Sequence, residues 1–137
     1  MRIRDFLVLA SVLAIVPSAF ADRIILVAGG GDVHTDIVAA QAQLREPFGV
    51  DFDRAGNLYI VEMEKGNRLL RIDARGILTH VAGLPVAGDG GDGGAPSSAQ
   101  FRGPHNLAVL PDGRIAIADT WNGRIRAVDL IAGRVTR

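Results

Sequence analysis

The chain has 137 residues, with 15 Lys and Arg balanced by 15 Asp and Glu, and it contains no cysteine. A zero formal charge removes the electrostatic case for nucleic acid or an anionic membrane surface as a partner. Without cysteine no disulfide reinforces the core, so stability has to come from packing and backbone hydrogen bonds.

The first stretch has the form of an export signal. Arg2 and Arg4 precede an apolar run at 6–16 whose only polar member is Ser11, and Pro17-Ser-Ala-Phe-Ala21 closes it with an Ala-x-Ala pattern. The run is roughly half of the ~20 residues that a membrane-spanning helix requires. A signal peptide at 1–21, cleavage after Ala21 and a secreted or periplasmic location are expected, with no stable membrane insertion afterwards.

Residues 22–137 then read as strands. Arg23-Ile-Ile-Leu-Val-Ala-Gly29 is similar to Gly76-Ile-Leu-Thr-His-Val-Ala-Gly83 and reads as an isolated strand, followed by a short turn within 33–44. In Gly49-Val-Asp-Phe-Asp53 and Leu58-Tyr-Ile-Val61 the apolar residues alternate, which is the period of a strand. Asp53-Arg-Ala-Gly-Asn57 supplies a hairpin turn through Gly56, Met63-Glu-Lys-Gly66 joins a third strand, and Ile77-Leu-Thr-His-Val-Ala82 makes a fourth, with His80 facing solvent.

After a glycine-rich segment at 84–103 the pattern returns. Pro104-His-Asn-Leu-Ala-Val, Pro111-Asp-Gly with its turn residue Gly113, Ile115-Ala-Ile-Ala-Asp119, Thr120-Trp-Asn-Gly123 and Gly123-Arg-Ile-Arg-Ala-Val-Asp129 repeat the earlier order, so the copies span about 47–83 and 104–137. A unit of this kind buries its apolar face only against neighbours. Four short antiparallel strands per unit is the build of a propeller blade. The expected fold is all-β: an incomplete β-propeller of about two four-stranded blades, preceded by a strand of the kind that closes a ring.

These residues resemble the NHL-repeat family of six-bladed β-propellers, in particular its exported bacterial members with long inter-blade segments. The resemblance implies a scaffold without prescribing an activity. The family's histidine is replaced by Gly123 in the second copy and by Asn67 in the first, and its aspartate at the end of the second strand is Asp119 in one copy and Glu62 in the other. Each carboxylate can pair across its hairpin, Glu62 with Arg68 and Asp119 with Arg124, for up to about 1 kcal/mol if exposed. Pro47, Gly56, Pro104 and Gly113 complete the structural motif.

Four residues stand out as binding candidates. His105 and Asn106 begin an innermost strand beside the central channel, and Trp121 with Asn122 sits on a turn, where an indole either stacks on a sugar or anchors a partner protein, or else covers the next blade. In Gly88-Asp-Gly-Gly-Asp-Gly-Gly94 the carboxylates Asp89 and Asp92 offer hard oxygen ligands of the kind calcium takes, but they are only two and the calcium-loop spacing with its terminal glutamate is absent, so a solvated inter-blade loop is the expectation, with calcium as the alternative and no other cofactor. No nucleophile elbow, phosphate-binding loop or zinc spacing is present.

The expected function is that of an exported binding scaffold for a protein or carbohydrate ligand. The alternative, which the resemblance supplies, is part of a metal-dependent lactonase-like or lyase-like propeller enzyme with a central-channel site, for which Glu46, His105 and Asn106 stand at the inner-strand starts. Arg137 aligns with Val81 in the middle of a fourth strand, so the chain reads as an N-terminal fragment, about the first third, of a longer protein. A closed propeller needs at least about four blades. Two leave strand edges and an apolar blade face uncovered, and self-association of the chain on its own is expected.

Overall fold

The computed structural model describes residues 23–137, so the signal segment at 1–21 and the cleavage after Ala21 lie outside the described residues. The first sheet contains β1 (Ile37–Val38), β2 (Pro47–Phe52), β3 (Leu58–Glu62), β4 (Arg68–Ile72) and β5 (Ile77–Ala82), in the order β1-β5-β4-β3-β2. The second contains β6 (Pro104–Val109), β7 (Ile115–Asp119), β8 (Arg124–Asp129) and β9 (Arg134–Thr136), in chain order. The pairings among these nine strands are antiparallel, as a meander of hairpins requires. The all-β, two-blade expectation holds.

Local chemistry sets the hairpins. Gly56 and Gly113 adopt φ of 83° and 86°, a left-handed conformation that costs a side-chain-bearing residue about 1–2 kcal/mol. At the first turn the Asp53 carboxylate accepts the amides of Ala55 and Asn57, both at 2.9 Å, and pins the loop.

Strand alternation divides the apolar side chains between two cores. Tyr59, Val61 and Leu69 leave one face of the first blade and pack with Leu107, Ile115, Ile117, Val128 and Val135 of the second, around Ala99 and Phe101 of the inter-blade segment. On the opposite face of the first blade, Ile60, Leu70, Ile72 and Leu78 are covered by Ala39 and Ala42, with Leu44 and Ile37 against them. Residues 28–46 therefore do for the first blade what 82–103 do for the second. Their backbone repeats too: the Gly29 amide bonds the Ala39 carbonyl at 2.9 Å as Gly83 bonds Pro96 at 3.0 Å, and both segments hold a short 3-10 turn, Ala39–Gln41 and Pro96–Ser98.

Both segments also close the outer sheet edges. Ile37 and Val38 pair with Leu78 and Ile77, while Gly93 donates to the Val135 carbonyl (2.7 Å) and Val135 donates to Gly94 (3.0 Å). The outer edges expected to stand open are thus protected. The strand expected at 23–29 joins neither sheet; Ile24, Ile25, Leu26 and Val27 are exposed, and the extra strand of the first sheet is Ile37–Val38. His80 does not simply face water: its ring is half-buried, and Nε2 lies 3.0 Å and 2.7 Å from the Ala82 and Gly83 carbonyl oxygens.

Candidate functional site

The innermost strands of the two blades, β2 and β6, run side by side. Asp51 joins them by accepting the Val109 amide at 2.8 Å, and this bond, followed by that of the Phe52 amide, holds the Asp51 carboxyl below its ordinary value. Register irregularities follow Pro47 in β2 and Pro104 in β6. Between the strands only glycine fits at position 49 without displacing a neighbour, because a Cβ there would run into the Asn106 backbone and side-chain oxygen.

This close approach brings together residues at equivalent repeat positions, Phe48 and His105. Their rings meet edge to face with centroids 4.8 Å apart and planes at 73°. Trp121 continues the row from the 3-10 turn Thr120–Asn122, perpendicular to His105 at 6.4 Å. The indole rests on Gly103, where a Cβ would strike the ring, and the Trp121 amide donates to the Arg102 carbonyl at 3.1 Å. Phe48 and Trp121 are exposed while His105 is half-buried between them. Edge-to-face packing holds the rings in place and leaves the outer faces of Phe48 and Trp121 exposed. Phe48 was not singled out in the sequence; its equivalence to His105 was the available signal.

The other sequence candidates have different surroundings. Asn106 is exposed, and its side-chain oxygen accepts the Leu107 amide at 2.9 Å. Asn122 is a structural pin, donating to the Gly88 carbonyl (2.7 Å) and to Asp119 Oδ2 (2.9 Å). Glu46 pairs with Lys65 at 2.7 Å and not with His105. Among the described residues no three His, Asp or Glu side chains gather around one point as metal ligands would.

In the glycine-rich loop the carboxylates meet arginines. Arg126, wholly buried, donates from Nε to Asp92 Oδ1 (2.9 Å), from Nη1 to the Gln100 carbonyl (2.6 Å) and from Nη2 to the Gly90 carbonyl (3.0 Å), with its guanidinium 5.1 Å from the centroid of the Phe101 ring. Arg137 takes the other Asp92 oxygen, and Arg124 lies 3.7 Å from the Asp89 carboxylate while donating to its carbonyl. Desolvation alone would raise the Asp92 carboxyl; hydrogen bonding from Arg137 and the charge of Arg126 outweigh it and hold the group below its ordinary value. Three guanidinium groups thus neutralise the two carboxylates. Arg126 escaped the sequence reading because its repeat equivalent is Leu70.

The structural pairs are present and buried. Glu62 and Asp119 are wholly shielded; Arg68 donates to Glu62 from Nε (2.8 Å) and Nη2 (2.5 Å), and Arg124 Nε lies 3.4 Å from Asp119. Backbone amides complete each carboxylate, Arg45 to Glu62 at 2.6 Å and Arg102 to Asp119 at 2.7 Å. The condition of exposure, on which the value of about 1 kcal/mol rested, does not hold.

The family model of the teneurin NHL domain matches residues 29–129 of the chain. The chain belongs to the teneurin NHL domain family. Among relatives of this NHL chain, mouse (Mus musculus) teneurin-1 is 32% identical over 103 residues, which cover 66% of the chain and 4% of teneurin-1. The Arabidopsis thaliana chloroplastic protein Suppressor of Quenching 1 is 31% identical over 99 residues, 72% of the chain and 9% of that protein. The NHL chain therefore spans a small part of the length of these relatives. A crystal structure of a protein of unknown function from Bacteroides thetaiotaomicron superposes with a TM-score of 0.62 at 28% identity, covering 72% of the NHL chain and 25% of the other.

Proposed function

We propose that this NHL module is an exported binding scaffold, and that the row formed by Phe48, His105 and Trp121 receives an apolar or aromatic side chain of a protein partner. The observation that carries this reading is that both blades contribute to one row of rings whose two outer members are exposed. Aromatic anchors of this kind dominate protein interfaces, each contributing about 2 kcal/mol or more when centrally placed. Family membership supports a binding role, and the positive n-region, apolar run and Ala-x-Ala site support export. The metal-dependent enzyme reading draws no support from the described residues, since His105 has aromatic neighbours where further ligands would be needed.

Trp121 is the sole tryptophan, so its fluorescence reports on the site directly. Peptides selected from a random library on the immobilised chain should carry an aromatic or aliphatic anchor, shift the Trp121 emission, and lose at least tenfold in affinity against Phe48→Ser. Selected peptides that bind Phe48→Ser and Trp121→Ser unchanged would reject the site. Binding confined to a glycan array would replace the protein partner by a carbohydrate. N-terminal sequencing of exported protein should begin at Asp22.

A further inference from the structure

The two ends of the aromatic row carry different charge. The chain enters both inner strands through the same local structure. The Arg45 amide donates to Glu62 as the Arg102 amide donates to Asp119, and the next residue in each copy, Glu46 or Gly103, takes a left-handed backbone at φ 51° or 57°. In the second copy the bare Gly103 lets the Trp121 indole lie on it. In the first copy Glu46 keeps a side chain, and its carboxylate holds the corner by accepting the Lys65 ammonium at 2.7 Å and the Lys65 amide at 3.2 Å. Exposed Glu64 adjoins them, so the Phe48 end has two carboxylates for one ammonium.

At the Trp121 end the open charge is positive. Arg102 is exposed, its carbonyl accepts the Trp121 amide at 3.1 Å, and it precedes the glycine under the indole. The carboxylate beside it is already spent. Asp119 is wholly buried, with Oδ1 on the Arg102 amide at 2.7 Å and Oδ2 on Asn122 Nδ2 at 2.9 Å and Arg124 Nε at 3.4 Å. Among the described residues the Arg102 guanidinium has no carboxylate partner, whereas Arg124 and Arg126 are held by Asp89, Asp92 and Asp119. Exposed Asn106, next after His105, spends its side-chain oxygen on the Leu107 amide and keeps its Nδ2 donors free among the described residues.

We infer that the protein segment received by the row bears a carboxylate beside its apolar anchor, and that Arg102 binds this carboxylate while Trp121 covers the anchor. This rests on the row being the binding site proposed above. A guanidinium with its fork of N–H donors unspent matches a carboxylate in shape and charge. The surplus of acid at the Phe48 end repels the same group. The segment therefore lies in one direction, its acidic side toward Trp121 and its neutral or basic side toward Phe48.

The test selects from a random peptide library on the immobilised full chain and on its Arg102→Gln variant. Arg102 is exposed and its backbone bonds remain, so the change leaves the core closed. The wild type should enrich Asp or Glu beside the apolar anchor, and the variant the same anchor without the acid. Acidic peptides from the wild-type selection should lose about two- to fivefold in affinity on Arg102→Gln, the range of an exposed ion pair. They should lose more on Arg102→Glu, and replacing the peptide's acid by lysine should restore binding to that variant. Added salt should weaken wild-type binding more than that of Arg102→Gln. Anchored peptides without an acidic preference, or acidic peptides that bind Arg102→Gln as tightly as the wild type, would overturn the inference and leave the row standing. Binding that survives Phe48→Ser and Trp121→Ser would reject the row itself, and the inference with it.

Discussion

Glu62 stands opposite Arg68 across the β3–β4 pair, wholly shielded from solvent, and accepts two hydrogen bonds from its guanidinium at 2.8 Å and 2.5 Å. A pair of this kind makes little net contribution relative to an apolar pair of the same volume, but removing one member strands the other charge. Glu62→Ala should cost about 3–5 kcal/mol in urea unfolding and Arg68→Ala a similar amount. The double change to Glu62→Leu with Arg68→Leu should recover most of that loss. A double variant that loses the sum of the two single losses would show that the pair is not coupled.

Asn67 ties the first blade to the entry of the second. Its backbone is left-handed at φ 50°, its side-chain oxygen accepts the Gly103 amide at 3.0 Å, and its amide donates to the Glu64 carbonyl at 2.6 Å. In the second copy the same left-handed corner is Gly123, at φ 63°. Asn67→Gly keeps the corner and loses the bonds, leaving a buried amide unpaired, at a cost of about 1–3 kcal/mol. Asn67→Ala adds about 1–2 kcal/mol of left-handed strain. The order wild type, Gly, Ala in denaturation midpoint is expected; Ala equal to Gly would remove the conformational part of the argument.

The blades themselves were legible because Val50 with Phe52 and Leu107 with Val109 alternate at the period of a strand and return after the same turn residues. The partners of Glu62 and Asp119 were legible for the same reason, since a hairpin register places Arg68 and Arg124 opposite them. Their burial was not. It depends on segments distant in sequence, such as the one that brings the Arg45 amide onto Glu62. The equivalence of 28–46 to 82–103 was legible at its ends, where Ala28-Gly29 matches Ala82-Gly83 and Ala42-Gln-Leu-Arg-Glu-Pro47 matches Ala99-Gln-Phe-Arg-Gly-Pro104, but not between them, where backbone hydrogen bonds carry it, as in Gly29 to Ala39 and Gly83 to Pro96. Likewise nothing in the local pattern of Arg126 announces Asp92 as its counterion, which lies 34 residues earlier.

Acid should loosen the glycine-rich loop before it melts the blades. Folding holds the Asp92 carboxyl below the ordinary aspartate range: desolvation raises it, but Arg137 and Arg126 lower it by more. A carboxyl depressed by folding contributes stability above its unfolded value, and that contribution disappears as pH falls through the folded one. Protection of the Gly93 and Val135 amides, which pair loop and β9, measured against the intrinsic exchange rate at each pH, should therefore fall as the pH drops below about 4. Asp92→Asn should already show low protection at neutral pH and little further response to acid. An unchanged pH response in Asp92→Asn would assign the effect to other carboxylates.

Gly49 separates two reasons for having glycine in a sheet protein. It is buried between the inner strands with the Asn106 backbone against the place of its missing Cβ, whereas Gly56 has open space around it and only a φ of 83° to explain it. Gly56→Ala should thus cost only the backbone term, about 1–2 kcal/mol. Gly49→Ala must push β2 from β6, which overpacks the junction at about 1–3 kcal/mol and lengthens the Asp51 to Val109 bond beside it. Because Phe48 and His105 flank this contact, the same change should disturb the aromatic row, shifting Trp121 emission and the His105 ring signals in NMR, while Gly56→Ala leaves both in place. Equal spectra for the two variants, even at unequal stability, would mean that the approach of the inner strands does not position the rings.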